Sequence, residues 1–77
     1  MKINILFFGQ LTDIAGTDSI EAKDLKDTDE LTLLLYKMFP ALEQSKYVLA
    51  VDTNVVSENT LLTSDCTVAL LPPFSGG

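Results

Sequence analysis

Apolar and polar residues alternate at the start of the chain, which is the pattern of a strand with one buried face. In residues 2–8, the apolar side chains of Ile3, Ile5 and Phe7 fall on one side. Successive side chains of a strand point to opposite faces, so Phe8 falls on the other side. The pattern therefore predicts a first strand with an inner core face and an aromatic ring on its outer face.

A short helix and a weak strand are predicted next. Residues 10–16 suit one or two helical turns, with Gly16 as the terminating residue because glycine adopts the left-handed conformation easily. Residues 19–22 are a short, polar strand, and this character suits the edge of a sheet.

The main helix is predicted to begin after Asp27. The Asp27 side chain can cap the helix, together with Glu30 three residues on, and acidic residues in the first turn suit the helix dipole. Pro40 marks the end of this helix. The apolar residues that recur at helical spacing along it are Leu31, Leu34, Leu35 and Met38.

Three more strands are predicted in the second half of the chain. Residues 47–51 form the first, and Asp52-Thr53-Asn54 has the composition of a turn leading into the short strand 55–56. A connecting loop, residues 61–65, precedes the last strand, Cys66–Leu71.

The order of these elements predicts an α+β fold. The first and last strands are the most apolar, so we expect them to be central, adjacent and parallel, with the helix packed across one face. This mixed sheet with one main helix is a β-grasp, or ubiquitin-like, roll. Pro72 and Pro73 end the last strand because proline cannot donate to the ladder. We therefore predict a domain of residues 1–71 and a flexible C-terminal tail of residues 72–77.

Length and composition narrow the classes of protein that fit. A chain of 77 residues with 47% hydrophobic residues suits one small folded domain without room for a deep substrate cleft. The single cysteine, Cys66, has no partner for an internal disulfide. We see no signal peptide and no apolar run of membrane-spanning length. We therefore expect a cytoplasmic protein with no membrane partner that is not an enzyme by itself.

The charged residues exclude further classes. Eleven acidic residues face five basic ones, all lysine, for a net charge of −6. Nucleic-acid binders use basic patches, so we expect no nucleic-acid partner. Histidine is absent, which rules out a Ser-His-Asp or Cys-His centre, and no metal-ligand spacing is present, so we expect no bound metal or cofactor. The acidity either steers the chain to a basic partner surface or serves solubility.

The tail holds the most informative candidate chemistry. It consists of a stiff double proline, an aromatic residue and two final glycines, Pro72-Pro73-Phe74-Ser75-Gly76-Gly77. Without Cβ atoms, Gly76 and Gly77 can thread a narrow channel on another protein. On that protein, ATP could convert the carboxylate of Gly77 to an acyl-adenylate. Attack by a sulfur donor on the acyl-adenylate would then leave a thiocarboxylate. The alternative is a frayed terminus, against which the double proline and Phe74 argue.

Strand alternation also predicts an exposed apolar patch. Phe8, Val55, Leu71 and Phe74 would lie together on the sheet face opposite the helix, where they suggest a partner surface. The alternative is that a loop covers them. For Cys66, a structural role is favoured over a sulfur relay, because no basic residue nearby in sequence lowers the pKa of its thiol.

Several segments resemble the small subunit of molybdopterin synthase. They are residues 3–10 with their Leu-Phe-Phe run, residues 16–17, residues 50–56, and residues 68–77 with their Pro-Pro-x-x-Gly-Gly ending. One departure is visible at residues 11–14, Leu-Thr-Asp-Ile, where that family often has a basic residue. A salt bridge to a partner that relies on this position is therefore not expected.

The resemblance implies a β-grasp sulfur carrier. Gly77 would be adenylated by an ATP-dependent activating enzyme and converted to a thiocarboxylate by a sulfur donor that the sequence does not identify. The tail, with Phe74, Ser75 and Gly76, would enter the large subunit of the synthase and donate sulfur to cyclic pyranopterin monophosphate. Catalytic residues would belong to the large subunit. Three alternatives stay open: a carrier for thiazole synthesis, a ubiquitin-like protein modifier, and a binding module whose tail is inert.

Overall fold

The secondary structure follows the predicted order of elements. The computed structural model describes residues 2–63 and 65–73, and no helix among these residues has the length and apolar character needed to cross a bilayer. Within the described residues, the elements in chain order are β1 (Lys2–Phe7), α1 (Gln10–Ala15), β2 (Ser19–Lys23), α2 (Thr28–Met38), a 3₁₀ helix (Pro40–Gln44), β3 (Val48–Val51), β4 (Asn54–Val56) and β5 (Cys66–Leu71).

The described strands form one mixed sheet of five, in the order β2-β1-β5-β3-β4. β1 and β5 lie side by side and run parallel, whereas the other neighbouring pairs are antiparallel. The first and last strands are therefore adjacent and parallel, and β2 is at an edge, as predicted. With α2 packed against one face, this arrangement confirms the predicted β-grasp roll.

The core lies between α2 and one face of the sheet. Ile3 and Ile5 of β1 and Val68 of β5 are fully buried, because alternate strand residues point inward. From the helix, Leu31 and Leu35 are also fully buried. Each such side chain stabilises the fold by about 1.5–3 kcal/mol relative to leaving it exposed. The inward side chains of β1 and β5 thus form the centre of the core.

The end of α2 differs from the sequence prediction. Met38, predicted on the apolar face, is 48% exposed, whereas Phe39 packs edge to face on Phe7 with ring centroids 5.7 Å apart. The chain turns at Phe39, and Pro40 begins the 3₁₀ helix that buries Leu42. Phe39 and Leu42 therefore lie against the core beyond the last turn of α2, and Met38 stays at the surface.

The start of α2 is capped as predicted, with one difference in detail. Oδ1 of Asp27 accepts a hydrogen bond from Glu30 N at 2.9 Å, and Oε1 of Glu30 accepts one from Lys26 N at 2.8 Å. In the usual capping box the second bond returns to the cap residue itself. Here it lies one residue earlier, so the box also fixes the chain entering the helix.

The loop before β5 is attached to this cap by Asn59. Its Oδ1 accepts hydrogen bonds from Asp29 N and from Oγ1 of Thr28, and its Nδ2 donates to Oδ2 of Asp27. Leu62, in the predicted connecting loop, is buried, and its N–H donates to Lys26 O. The loop is therefore part of the packed structure, because it satisfies helix N–H groups that have no partner within the helix.

The hydrogen bonds around Asp27 make stability depend on pH. The bonds from Glu30 N and from Asn59 hold the pKa of Asp27 below its ordinary value of about 3.9. Its charged form therefore contributes stability fully above the unfolded-state pKa, and that contribution is lost as pH falls through the lower folded-state pKa. The variant Asp27→Asn keeps a good cap residue but removes the titrating group. In urea titrations, we expect the free energy of unfolding to fall more steeply below about pH 4 in the wild type than in Asp27→Asn. Parallel profiles for the two proteins would contradict this role.

Candidate functional site

The tail leaves the sheet from its central strand. Leu71, the last residue of β5, pairs with Val48 of β3, and Pro72 and Pro73 follow directly, both half-buried. The candidate sulfur-carrying residue Gly77 and the tail residues Phe74, Ser75 and Gly76 lie outside the described residues, so their roles and the division at residue 72 stay predictions. The position from which the tail starts is fixed by β5.

Gly9 lies against the base of the tail. Its φ of +58° belongs to the left-handed region that favours glycine. A Cβ built on Gly9 would stand 2.7 Å from Cγ of Pro72, so a side chain there would require the proline to shift. The N–H of Phe8 donates to Leu70 O at 3.1 Å and carries the pairing of β1 with β5 up to this contact. The end of β1 therefore supports the start of the tail.

The sheet face opposite α2, the open sheet face, carries an apolar cavity. A row of outward side chains crosses four strands from Val55 through Ala50 and Ala69 to Leu6. Because the two alanines in the middle are small, the row forms a shallow floor between larger side chains. The cavity has a volume of about 670 Å³. Its lining comprises Leu6, Phe8, Ala50, Asp52, Thr53, Val55, Thr67, Ala69 and Leu71.

The apolar cavity brings together the predicted patch residues that the structure describes. Phe8 is 43% and Val55 is 56% exposed, and both line the cavity with Leu71. The described part of the chain therefore does not cover them with a loop. Phe74, the remaining patch residue, lies outside the described residues. Partner binding by these side chains stays a prediction.

The turn between β3 and β4 forms one wall of this cavity. Asp52 and Thr53 have φ values of 48° and 74°, so the turn takes two residues and Asn54 already belongs to β4. Oδ1 of Asp52 accepts a hydrogen bond from Thr67 N, and Asp52 N donates to Thr67 O. These bonds attach the turn to β5 and place the exposed side chain of Val55 on the open face.

A second cavity, here called the polar cavity, lies beside the prolines of the tail. It has a volume of about 500 Å³. Its lining comprises Gln10, Gln44, Ser45, Lys46, Pro72 and Pro73. Sequence reasoning missed this site because its walls come from α1, from the unpredicted 3₁₀ helix and from the segment that follows it. The available signal was Pro40, which begins that helix.

Cys66 is poorly placed for sulfur chemistry. Burial, followed by the nearby charges of Asp52 and Asp65, raises the pKa of the Cys66 thiol, which disfavours the reactive thiolate. Cys66 is the first residue of β5 and Leu71 is the last, so about 17 Å of strand separates the thiol's residue from the base of the tail. Within residues 2–63 and 65–73, no group of three or more His, Cys, Asp or Glu side chains suits a metal ion.

Comparison with known proteins gives a family and close relatives. The model of the ThiS family matches residues 5–77. The molybdopterin synthase sulfur carrier subunit of Escherichia coli K12 is 35% identical, with 97% of this chain and 99% of that protein aligned. The subunit of the same name from Haemophilus influenzae is 29% identical over the same shares. These matches confirm the resemblance seen in the sequence.

Solved structures share the fold at low identity. Subunit 1 of a molybdopterin converting factor from Pyrococcus furiosus superposes with a TM-score of 0.85 at 20% identity, covering 96% of this chain and 99% of that one. Small archaeal modifier protein 1 from Methanosarcina acetivorans gives 0.82 at 22% identity, covering 99% and 96%. A chain in the complex of subunits 1 and 2 of molybdopterin-converting factor from Helicobacter pylori 26695 gives 0.74 at 24%, covering both chains completely.

The structural matches establish the fold, and the sequence matches establish the family. Because the family model covers all but residues 1–4 and the Escherichia coli relative is 35% identical over nearly the whole chain, this protein belongs to the ThiS family.

Proposed function

We propose that this protein is the sulfur carrier subunit of a molybdopterin synthase. The observation that carries the proposal is the 35% identity to the Escherichia coli subunit of that name, which extends over 97% of this chain. The start of the tail supports it, because β5 leads directly into Pro72 and Pro73 beside an exposed apolar cavity. We propose that the reaction takes place in the cytoplasm and that the tail carries the sulfur.

The proposed chemistry takes place at the carboxylate of Gly77. On an ATP-dependent activating enzyme, a carboxylate oxygen attacks the α-phosphorus of ATP and pyrophosphate leaves, which gives an acyl-adenylate. Hydrosulfide, or sulfur delivered at the same oxidation level, then attacks the acyl carbon and AMP leaves, so that a thiocarboxylate remains. In the active site of the large subunit, this sulfur attacks a carbon of cyclic pyranopterin monophosphate, and water then cleaves the acyl–sulfur bond, which returns the carboxylate of Gly77.

A carrier that supplies only its carboxylate, with catalytic groups on its partners, suits the side chains of this protein. The sequence contains no histidine to act as a general base, and the pKa of its one thiol is raised. A carrier of this kind needs no catalytic side chain, because ATP activates the carboxylate and the partner supplies the acids and bases. The large subunit is the proposed partner, in line with the two-subunit complex of the structural relative from Helicobacter pylori.

The first prediction for this function concerns Gly77. Deleting it shortens the reach of the tail by about 3.3–3.6 Å, more than covalent transfer tolerates. We expect the shortened protein to fold with unchanged stability and to give no dithiolene product with the activating enzyme, a sulfur source, the large subunit and the pterin precursor. After incubation with the activating enzyme and the sulfur source, the intact mass of the wild type should rise by about 16 Da, because sulfur replaces one oxygen of the activated carboxylate.

A control variant makes this test decisive. Cys66→Ser should retain activity, since the thiol has no part in the proposed chemistry. Product formation without Gly77, or loss of activity in a folded Cys66→Ser protein, would contradict the carrier mechanism. High-mass conjugates in place of the thiocarboxylate would instead favour the protein modifier. Sulfur transfer to a thiazole precursor, without dithiolene formation, would favour the thiazole carrier.

The open sheet face is the proposed docking surface for the large subunit. Its apolar cavity contains the last residue of β5, so a protein that takes in the tail must stand close to it. Fully extended, the residues after Leu71 reach only about 20 Å. Contact over Phe8, Val55 and Leu71 would bury apolar area that the free protein leaves exposed.

The second prediction tests this surface by introducing a carboxylate. Phe8→Asp and Val55→Asp should weaken binding to the large subunit by at least about tenfold, because an unpaired charge would be buried in an apolar interface. Leu33→Asp is the matched control, since Leu33 is 61% exposed on α2, on the other side of the sheet. The measurement is calorimetric titration of folded variants. Affinities equal to that of Leu33→Asp would show that the large subunit docks elsewhere.

A further inference from the structure

Two cavities with different linings adjoin the base of the tail. The apolar cavity on the open sheet face includes Leu71, and the polar cavity includes Pro72 and Pro73. Among the residues lining the polar cavity, Lys46 is the one with a charged side chain. A partner that takes in the tail would therefore meet apolar side chains at one cavity and the positive charge of Lys46 at the other.

The backbone around Lys46 is held in place by its neighbours. Ser45 N donates to Leu42 O, and Oγ of Ser45 donates to Ala41 O, both at 3.0 Å. Leu42 itself is buried in the core. On the other side, β3 begins at Val48, which pairs with Leu71 in the antiparallel register. Lys46 and the two prolines line the same cavity, so Lys46 lies beside the base of the tail.

Lys46 is a local positive charge on an acidic protein. The chain has a net charge of −6. In the described residues, the one ion pair joins Nζ of Lys2 to Glu21 at 3.8 Å, near the start of β1 and thus at the end of the sheet opposite the tail. Lys46 has no carboxylate partner among those described residues. Its ammonium group is exposed and available to another molecule.

We propose that Lys46 pairs with a carboxylate of the large subunit at the mouth of the channel that receives the tail. This inference rests on the proposed function and adds an orientation signal to it. An apolar contact over the open sheet face resists rotation about the tail only weakly, since it is not directional. A charge that lies outside the apolar cavity but beside the same tail selects one rotation, because the wrong one places Lys46 against apolar or basic groups.

The distance from the reacting group separates this proposal from binding of an anionic substrate. Four residues follow Pro73, and when extended they span about 13–14 Å. An extended tail that delivers Gly77 into a buried active site leaves Lys46 at the channel mouth. The phosphate groups of ATP or of the pterin precursor would then lie at the far end of that channel, beyond the reach of Lys46. This favours a protein carboxylate over a substrate phosphate as the anion that Lys46 meets.

The test compares two charge reversals of equal size in the full chain. Lys46→Glu and Lys23→Glu each change the net charge by two units. Lys23, however, lies opposite Lys2 in the β1–β2 register, at the end of the sheet away from the tail. We expect Lys46→Glu to weaken binding of the purified large subunit about threefold to tenfold in calorimetric titration, and Lys46→Gln about twofold. Lys23→Glu should stay within about twofold of the wild type, and the loss in Lys46→Glu should shrink at high salt.

The outcomes distinguish this inference from the function on which it rests. Equal affinities of folded Lys46→Glu and Lys23→Glu would overturn the orientation role of Lys46 and leave the sulfur carrier function standing. A salt-independent loss in Lys46→Glu would also overturn it, because a packing change would then be the cause. Failure of the wild type to bind the large subunit at any salt concentration would overturn both proposals.

Discussion

The parallel pairing of β1 with β5 sets the positions of the other elements. In register, Ile5 meets Val68 and Phe7 meets Leu70, and all four side chains face α2 and are buried. Parallel strands cannot be joined by a hairpin, so the whole intervening chain must cross from one strand to the other. The edge strand β2, the helix and the β3–β4 hairpin all lie within this crossover.

The same pairing makes one sheet face part of the core and leaves the other face open. Inward residues form the core, whereas the outward row through Ala50 and Ala69 leaves a shallow apolar floor that the described residues do not cover. β5 ends beside this floor, so the tail begins where an exposed apolar surface and the backbone of Gly9 meet. The described residues therefore fix the point from which the tail starts.

A domain of this size has a small apolar core, so polar contacts fix segments that the core does not reach. Asn59 joins the loop before β5 to the first turn of α2, and Asp27 serves both the helix cap and this loop. Ser45 similarly ends the 3₁₀ helix and holds the chain before β3. These bonds define the shapes of the surfaces around the tail, including the wall that carries Lys46.

Local sequence patterns predict the order and type of nearly all elements, the inner face of β1, the cap at Asp27 and the stop at Gly16, and the residues of the tail carry the family resemblance. These features are set by neighbours within a few residues: alternation along a strand, capping chemistry and the conformational freedom of glycine. Long-range packing, in contrast, sets the exposure of Met38, the entry of Phe39 and Leu42 into the core, and the anchoring of a loop by Asn59. It also places Lys46 beside Pro72 and Pro73. Such contacts join residues far apart in the chain, and which of many similar side chains meet depends on the strand register and on the path of the crossover.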